Sequence, residues 1–298
     1  MIMGSKVDIA QQRAKVLNYL WPQGKAFHKQ ALDFANFYQN KIIVIKYGGF
    51  ALSNQKIVKS FARNISLFNQ LGLKIVIVHG GGPQIEKEML KQKIKDQEYQ
   101  GLRVTTKRIL SIVKRIVGRE LNPMIVSNIN QCGGSAKSIN GITKKIIGAK
   151  KMLNGKIGFV GTPTSLDKNY ILDLLKQGIV PVISPLGFDN AGNTYNINAD
   201  TAAGYVAEKL KAERLILLTD VVGVLDNKKR LIAELDEKKA SKFIKNGTIK
   251  GGMLPKIKTC FNIIKKGVKG VVIIDGRNPN ATVLELFTKK GAGTLISK

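Results

Sequence analysis

Two unbroken runs of β-branched residues in the first third of the chain predict strands that are buried on both faces. The first run occupies residues 42–45 and the second residues 75–78, and an amphipathic segment near 55–71 lies between them. Runs of this kind are typical of parallel sheets, in which helices cover both faces. The order strand, helix, strand therefore predicts a βαβ unit with a right-handed crossover.

The same alternation of strands and helices continues to the end of the chain. A long helix is predicted from Thr106 to about Cys132, and Asn198 is the expected N-cap of a later helix whose first turn holds Asp200. Further strands are predicted over 144–151, 156–161, 179–184, 214–218 and 270–274, and further helices near 84–93, 169–177, 238–246 and 255–266. This order predicts an α/β fold.

Residues 1–40 show helical spacing and precede the first strand. A helix is predicted near 11–20, and the sequence Trp21-Pro22-Gln23-Gly24 separates it from a second helix over 30–40 that carries aromatic side chains. We expect this N-terminal helical extension to lie outside the sheet. Such a helix docks on its own core more often than on a neighbouring subunit.

The composition is that of an ordinary globular protein with a strong positive charge. A formal charge of +29 on 298 residues would normally suggest nucleic acid or another anionic partner. The basic residues are mostly lysine and are scattered, whereas base readout and bidentate phosphate binding favour arginine. We therefore attribute the positive charge to a general bias toward lysine and expect no specific nucleic-acid partner. A lysine-rich nucleic-acid-binding protein remains the alternative from a different class.

The sequence suggests neither a membrane protein nor a secreted one. No apolar run approaches the ~20 residues that span a bilayer, and residues 1–20 lack the apolar core of a signal peptide. Cys132 and Cys260 lie far apart with no histidine cluster, so neither a disulfide framework nor a zinc site is indicated, and we expect both to be small buried residues. These features favour a cytoplasmic protein with no membrane partner.

Two of the predicted strands end in glycine clusters that suit a bound anion. The first strand runs into the motif KYGG at 46–49 and the second into HGGGP at 79–83. Glycines let backbone N–H groups approach an anion, and the lysine adds a compact positive charge at the end of a strand, where α/β sheets hold ligands. Lys256, beside Pro255 at a predicted helix start, is a second such location. Either glycine cluster alone is explained equally well by a plain turn, and no Walker-type or Rossmann motif is present.

Six motifs in order resemble the acetylglutamate kinases, a branch of the amino acid kinase family. They are IIVIKYGG, VIVHGGGPQI, GLRVT, NINADTAA, LILLTDVVGVL and GGMLPKI. The resemblance implies a three-layer αβα sandwich with a mainly parallel central sheet and two lobes. Residues 1–40 would form the extension for oligomerisation or regulation, 41–209 the N-terminal lobe that binds acetylglutamate, and 210–298 the C-terminal lobe that binds ATP.

The resemblance also implies a reaction. The γ-phosphoryl group of ATP, accompanied by Mg²⁺, would pass to the side-chain carboxylate of N-acetyl-L-glutamate on the route to arginine. Mg²⁺ would be held mainly by phosphates and water, so no protein metal ligand is predicted. A kinase of another small acid, such as aspartate or glutamate, remains the alternative on the same fold.

Individual residues take roles from the matching motifs. Lys46 and Lys256 would stabilise the transition state, Asp200 would hold the two lysines in place, and Gly49 would donate a backbone N–H to the transferring group. The residues implied to bind acetylglutamate are Gly81, Gly82, Arg103 and Asn196, and those implied to bind the nucleotide are Thr219, Asp220, Val221, Gly223 and Leu225.

Both ends of the chain resemble arginine-inhibited members of the family. The helix over 30–40 would interlace dimers into a hexamer, and the effector arginine would contact Phe34, Glu285, Gly291 and Gly293. Phe34 stands near a position usually held by tyrosine, and Asn280 stands where such members have histidine. We therefore expect arginine inhibition with weakened affinity. An unregulated dimer and a nitrogen-signalling PII partner both remain open.

Overall fold

One eight-stranded sheet runs through the centre of the protein, as seen in a computed structural model that describes residues 25–99 and 101–298. The strands of the described chain are β1 (Ile42–Tyr47), β2 (Lys74–His79), β3 (Glu98–Tyr99), β4 (Leu102–Arg103), β5 (Ala136–Ile139), β6 (Ile147–Lys151), β7 (Gly161–Leu166), β8 (Val180–Ile183), β9 (Leu186–Phe188), β10 (Thr194–Asn196), β11 (Arg214–Thr219), β12 (Glu234–Leu235), β13 (Val271–Asp275) and β14 (Thr294–Ile296).

The α-helices lie between these strands. They are α1 (Lys25–Phe37), α2 (Gln55–Gln70), α3 (Gly82–Lys91), α4 (Lys107–Val113), α5 (Asn122–Gln131), α6 (Lys168–Lys176), α7 (Ala199–Lys209), α8 (Glu237–Lys245), α9 (Met253–Lys265) and α10 (Ala281–Phe287). A π-helical segment, Lys114–Leu121, joins α4 to α5 without interruption.

The central sheet has the strand order β12-β14-β13-β11-β1-β2-β8-β5. Every pairing from β13 across to β5 is parallel, and β14 runs antiparallel to β13. A second sheet, in the order β10-β9-β6-β7, and the hairpin β3-β4 lie outside it. Both contribute residues beside the carboxyl ends of the parallel strands.

Helices cover both faces of the central sheet, and β1 shows why its sequence is apolar throughout. Ile43 and Ile45 belong to an apolar cluster shared with α1, α2 and α5, whereas Val44 belongs to a second cluster shared with α6, α7 and α9. Successive residues of a strand point to opposite faces, so a strand covered on both sides needs a continuous apolar run. The predicted three-layer α/β fold with a mainly parallel sheet is confirmed.

A strand, a helix and a cysteine differ from the sequence prediction. The predicted strand over 156–161 is wrong, because the chain turns at the left-handed Gly158 and β7 begins only at Gly161. The long helix after Thr106 contains the π-helical segment, which apolar spacing does not reveal. Cys132 is only half-buried, whereas Cys260 is buried as expected.

Helix α1 docks on the core of its own chain. Ala31 and Ala35 are fully buried, and α1 packs against α10. The helix predicted near 11–20 and the break at 21–24 lie outside the described residues. The division at 209/210 and the role of residues 1–40 remain predictions. Among the helices that the structure describes, none is both long and apolar enough to cross a membrane.

Candidate active site

Strand β1 ends where the direction of sheet growth changes. The chain first adds β2 on one side of β1 and later places β11 on the other, so Lys46 lies in register with Val78 and with Leu217. The crevice at such a point is the usual ligand site of an open α/β sheet. The KYGG and HGGGP motifs meet the start of α7 there, since a Cβ on Gly80 would lie 3.4 Å from the Gly49 nitrogen and 3.5 Å from the Ala199 Cβ.

Two lysines from distant parts of the chain converge on one aspartate. Lys46 Nζ lies 2.9 Å from Asp200 Oδ1, and Lys256 Nζ lies 4.0 Å from Asp200 Oδ2. Asn198 accepts a hydrogen bond from the Thr201 N–H and caps α7, which fixes Asp200 in its first turn as predicted. The side chains of Lys46, Lys256 and Asp200 are only 14%, 25% and 33% exposed, so water screens their charges poorly.

The charge of Asp200 is maintained by its two partners. Burial alone would raise the pKa of this carboxyl group, but the Lys46 and Lys256 ammonium groups outweigh that effect and hold the pKa below its usual value. The aspartate therefore stays ionised, and it relieves the mutual repulsion of two ammonium groups. Each lysine keeps N–H donors with which it can bind an anion.

Backbone nitrogens from two loops gather beside Lys46. A Cβ on Gly49 would lie 2.9 Å from the Gly82 nitrogen and 3.1 Å from the Gly81 nitrogen, so only glycine allows the two loops to approach. A Cβ on Gly81 would collide with Val117 and Leu121 at 2.8 and 2.9 Å. Gly81 also precedes α3, a helix whose N-terminus has no side-chain cap. This collection of N–H groups and a helix N-terminus favours an anion.

A pocket of about 320 Å³ opens from this point. Its walls come from the glycine loops, the β3-β4 hairpin, the π-helical segment and the start of α7. It brings together six residues predicted for catalysis or acetylglutamate binding, namely Lys46, Gly49, Gly81, Gly82, Arg103 and Asn196. Asn196 is held there by a hydrogen bond of 3.1 Å from its Nδ2 to Thr105 Oγ1.

Arg103 is fixed by two acidic residues while it lines the pocket. Its Nε and Nη2 donate side-on to the Asp96 carboxylate at 2.8–3.1 Å, and Nη2 also donates to Glu86 Oε1 at 2.8 Å. The side chain is only 12% exposed. Because Asp96 occupies the Nε–Nη2 edge of the guanidinium, a substrate carboxylate would have to use the Nη1 side.

The residues predicted to bind the nucleotide follow β11 at the same edge of the sheet. Thr219 ends β11, and its hydroxyl accepts a hydrogen bond from the Val221 N–H at 3.3 Å, which folds the chain back. Gly223 has a left-handed φ of 137°, and a Cβ there would lie 2.7 Å from Thr294 Oγ1. Asp220 lies on the exposed turn, and Leu225 pairs with Leu231. This segment lies outside the pocket lining but beside it, because Leu218 O comes within 2.9 Å of a Cβ on Gly48.

The predicted effector residues lie outside the pocket lining, on α1, α10 and the segment before β14. Phe34 packs half-buried on the core from α1. Glu285 of α10 accepts a hydrogen bond from the Ala292 N–H at 2.8 Å, and burial raises the pKa of Glu285 despite that bond and the nearby Arg214. Gly291 is left-handed, and a Cβ on it would lie 2.8 Å from Glu285 Oε2; one on Gly293 would collide with Ile273 O at 2.1 Å.

Sequence reasoning missed part of the pocket wall and the clamp on Arg103. The apolar wall includes Val117, Val160 and Ile197, which come from three separate segments. Val117 was expected only as part of the long helix after Thr106, and Val160 lies where a strand was predicted wrongly. Asp96 carries no motif, so no feature of the sequence pointed to its contact with Arg103.

Comparison with known proteins identifies the family of this chain. The profile of the amino acid kinase family matches residues 41–275. Acetylglutamate kinase of Rhodospirillum rubrum is 43% identical over 279 residues, which are 90% of this chain and 90% of the relative. Acetylglutamate kinase of Rhodospirillum centenum is 44% identical over 281 residues, with 90% of this chain and 92% of the relative covered.

A solved structure supports the fold independently. The N-acetylglutamate synthase from Neisseria gonorrhoeae, complexed with coenzyme A and L-arginine, has a TM-score of 0.79 at 22% identity. The alignment covers 92% of this chain but only 65% of the synthase chain. At that identity the likeness concerns the fold alone. From the profile match and the 43–44% identical relatives, the chain belongs to the amino acid kinase family.

Proposed function

We propose that this protein transfers the γ-phosphoryl group of ATP to the side-chain carboxylate of N-acetyl-L-glutamate. The observation that carries the proposal is the Lys46–Asp200–Lys256 cluster, which lies at one end of a pocket lined by Arg103 and Asn196. A single guanidinium and an amide suit a small acid that carries both a carboxylate and an acylamino group. Relatives at 43–44% identity over nine-tenths of the chain support that choice.

The reaction needs positioning and charge neutralisation more than proton transfer. The acceptor carboxylate is ionised at neutral pH, so no general base is required. What opposes reaction is the repulsion between two anions and the charge on the transferring phosphoryl group. Lys46 and Lys256 would neutralise that charge, and the N–H groups of Gly49 and Gly81 would donate to the phosphoryl oxygens.

The two substrates would enter from opposite sides of the lysine cluster. Arg103 would use its Nη1 side to bind a carboxylate of acetylglutamate, while Asn196 would donate to or accept from its acetamido group. The segment 219–225 would hold ATP on the other side of β1. Family membership implies the use of ATP. Mg²⁺ would come bound to the ATP phosphates, since both oxygens of Asp200, the acidic group of the cluster, already face lysines.

A trapping assay tests this proposal directly. Acyl phosphates react with hydroxylamine to give a coloured hydroxamate complex with iron, so acetylglutamate, glutamate and aspartate can be compared in parallel under ATP and Mg²⁺. We expect product with acetylglutamate and little with the two amino acids, because their charged ammonium group does not match the acetamide. Preference for glutamate or aspartate would favour the alternative hypothesis, a kinase of another small acid on the same fold. Absence of product with all three acids would refute the proposal.

We further propose that arginine inhibits the enzyme through a site between α1 and the C-terminal segment. The supporting observation is that α1 packs against α10, which brings Phe34 to the same side of the protein as Glu285. A half-buried carboxyl group with weak local compensation suits a guanidinium ligand. Relative to sites with a tyrosine and a histidine, Phe34 and Asn280 would each lose a hydrogen bond, which is worth about 1.5–3 kcal/mol to a charged ligand.

The test compares the full-length protein with a chain that begins at Lys41, each with and without arginine. We expect the full-length protein to be hexameric and arginine-sensitive, and the shortened chain to be dimeric and insensitive. Two dimeric species with equal, arginine-independent activity would refute this regulatory proposal and leave the kinase proposal intact. Binding of a PII protein can be examined with the same two chains.

A further inference from the structure

A buried polar cluster lies directly beneath the HGGGP motif. It consists of the side chains of His79, Asn122, Ser138 and Ser184, of which His79 and Asn122 have no exposed surface. They come from β2, the start of α5, β5 and the residue that follows β8. Apolar side chains would fill this space at a lower cost in free energy, because a buried polar group is unfavourable unless it keeps its hydrogen bonds. The position of the cluster suggests that it orients the glycine loop.

The partners of this cluster determine where each proton lies. Ser138 donates to Asn122 Oδ1 at 2.5 Å, and Asn122 Nδ2 donates to the carbonyl of Val182 at 2.9 Å, which together fix the orientation of the amide. The second proton on Asn122 Nδ2 then points to His79 Nε2, 3.1 Å away. His79 Nε2 must therefore be the unprotonated, accepting nitrogen.

The contact made by Nδ1, the other ring nitrogen, also indicates that the proton lies on Nδ1. His79 Nδ1 lies 3.0 Å from the carbonyl oxygen of Gly80, which can only accept. The Ser184 hydroxyl lies 3.2 Å from Nε2 and donates its single proton to the Val117 carbonyl at 2.9 Å, so it could only accept from Nε2. That single contact is outweighed, because a proton on Nε2 would face the Asn122 amide proton and leave two acceptors, Nδ1 and Gly80 O, facing each other. Burial lowers the pKa of His79 to about 4, so the ring is neutral at physiological pH and carries its one proton on Nδ1.

The hydrogen bond from His79 to the Gly80 carbonyl fixes the direction of the Gly81 N–H. In a trans peptide the C=O of one residue and the N–H of the next point in opposite directions. The carbonyl of Gly80 points down to His79, so the N–H of Gly81 in the same peptide points up, toward the pocket that Gly81 lines. A hydrogen bond to the carbonyl also polarises the amide and strengthens its N–H as a donor.

We propose that His79 is a positioning residue for phosphoryl transfer, which holds the Gly80–Gly81 peptide so that the Gly81 N–H faces the transferring group. The inference rests on the proposed kinase function. Val117 links the polar cluster to the pocket wall. Its carbonyl accepts a hydrogen bond from Ser184, and its side chain packs where a Cβ on Gly81 would be. The π-helical segment that carries Val117 thus supports the same loop from the other side.

Two substitutions separate positioning from packing. His79→Asn keeps a donor near the position of Nδ1, whereas His79→Gln places its amide near Nε2 and leaves Gly80 O without a donor. We expect His79→Gln to lower kcat about 10- to 100-fold, somewhat less than the loss of an oxyanion donor outright, and His79→Asn to lower it several-fold less. KM for ATP and acetylglutamate should change little in either variant, and thermal unfolding should show similar destabilisation of both. Equal kcat values in the two variants would refute the positioning role.

The tautomer can be measured on the protein itself, without turnover. The sequence contains two histidines, so imidazole ¹⁵N spectra of a His28→Gln variant report His79 alone. We expect a neutral ring protonated at Nδ1, and a ring protonated at Nε2 would overturn the inference. Because this measurement leaves His79 in place, it tests the tautomer even if neither His79 variant folds. It also remains informative if the wild-type protein makes no acyl phosphate, a result that would refute the proposed function instead.

Discussion

Replacing Lys46 by methionine should slow phosphoryl transfer far more than it weakens substrate binding. Methionine keeps the length of the side chain and removes its charge. In the structure Lys46 lies 2.9 Å from Asp200 and is 14% exposed, beside the nitrogens of the glycine loops. After the substitution, Asp200 faces only Lys256, at 4.0 Å, and its negative charge is poorly compensated next to an anionic group.

The size of the effect follows from the loss of one preorganised charge. Two unit charges about 4 Å apart interact by about 4 kcal/mol at an effective dielectric constant of about 20, and removal of one oxyanion donor typically costs about 3 kcal/mol. A barrier raised by about 3 kcal/mol corresponds to a decrease of roughly a hundredfold or more in kcat. KM should change much less, because the stabilised charge belongs to the transition state.

Lys74→Met is the matched control for this experiment. Lys74 is the first residue of the neighbouring strand β2, so it lies at the amino ends of the parallel strands, away from the pocket. Its Nζ contacts the Asn40 side chain at 3.2 Å. Both substitutions lower the net charge by one, so a general electrostatic effect on anionic substrates would appear in both. The hydroxylamine assay under saturating substrates measures kcat for each. A Lys46→Met enzyme with kcat within about threefold of the wild type would remove Lys46 from the catalytic assignment.

Three further predictions concern the loops, the pocket and pH. Gly49→Ala should abolish most activity with modest loss of stability, because its Cβ would lie 2.9 Å from a backbone nitrogen of the HGGGP motif; activity assays and thermal unfolding test this, and a fully active variant would contradict the loop geometry. Arg103→Ala should raise KM for acetylglutamate about 10- to 100-fold with a smaller change in kcat, whereas Arg108→Ala, outside the pocket lining, should behave as the wild type; equal KM values in both variants would argue against substrate binding by Arg103. The pKa of His79 falls from 6.5 to about 4 on folding, and its partners are neutral, so the unfolded chain binds the extra proton and stability decreases as pH falls from about 6.5 to 4, by up to about 3 kcal/mol. Unfolding free energies of His79→Asn should depend less on pH in that range, and an unchanged slope would show that His79 titrates normally.

The sequence by itself determined the elements that depend on local pattern. The apolar runs of β1 and β2 predicted those strands to within two residues at each end, because a strand covered on both faces favours such a run. The N-cap at Asn198 and the placement of Asp200 were predicted correctly, since capping depends on neighbours three residues apart. The motifs also identified the family, which the comparisons confirmed.

Short elements and turns with left-handed residues were predicted less well. Strands β9, β10, β12 and β14 span only two or three residues, too few for an alternating pattern to appear. The strand predicted over 156–161 was wrong for a related reason. This segment makes only isolated bridges, Gly158 with Thr105 and Val160 with Asn196. Gly158 is left-handed with a φ of 71°, and a Cβ there would lie 2.2 Å from Thr105 O, so only glycine fits.

Only the tertiary structure decided how distant residues meet. Asp200 and Lys256 are far apart in sequence, and their approach to Lys46 depends on α7 and α9 packing on the same face of the sheet. The clamp of Asp96 on Arg103 and the proton arrangement around His79 depend on distances of about 3 Å between separate elements. Sequence pattern records which face of an element is buried, but the partner that it meets is selected by packing across the whole core.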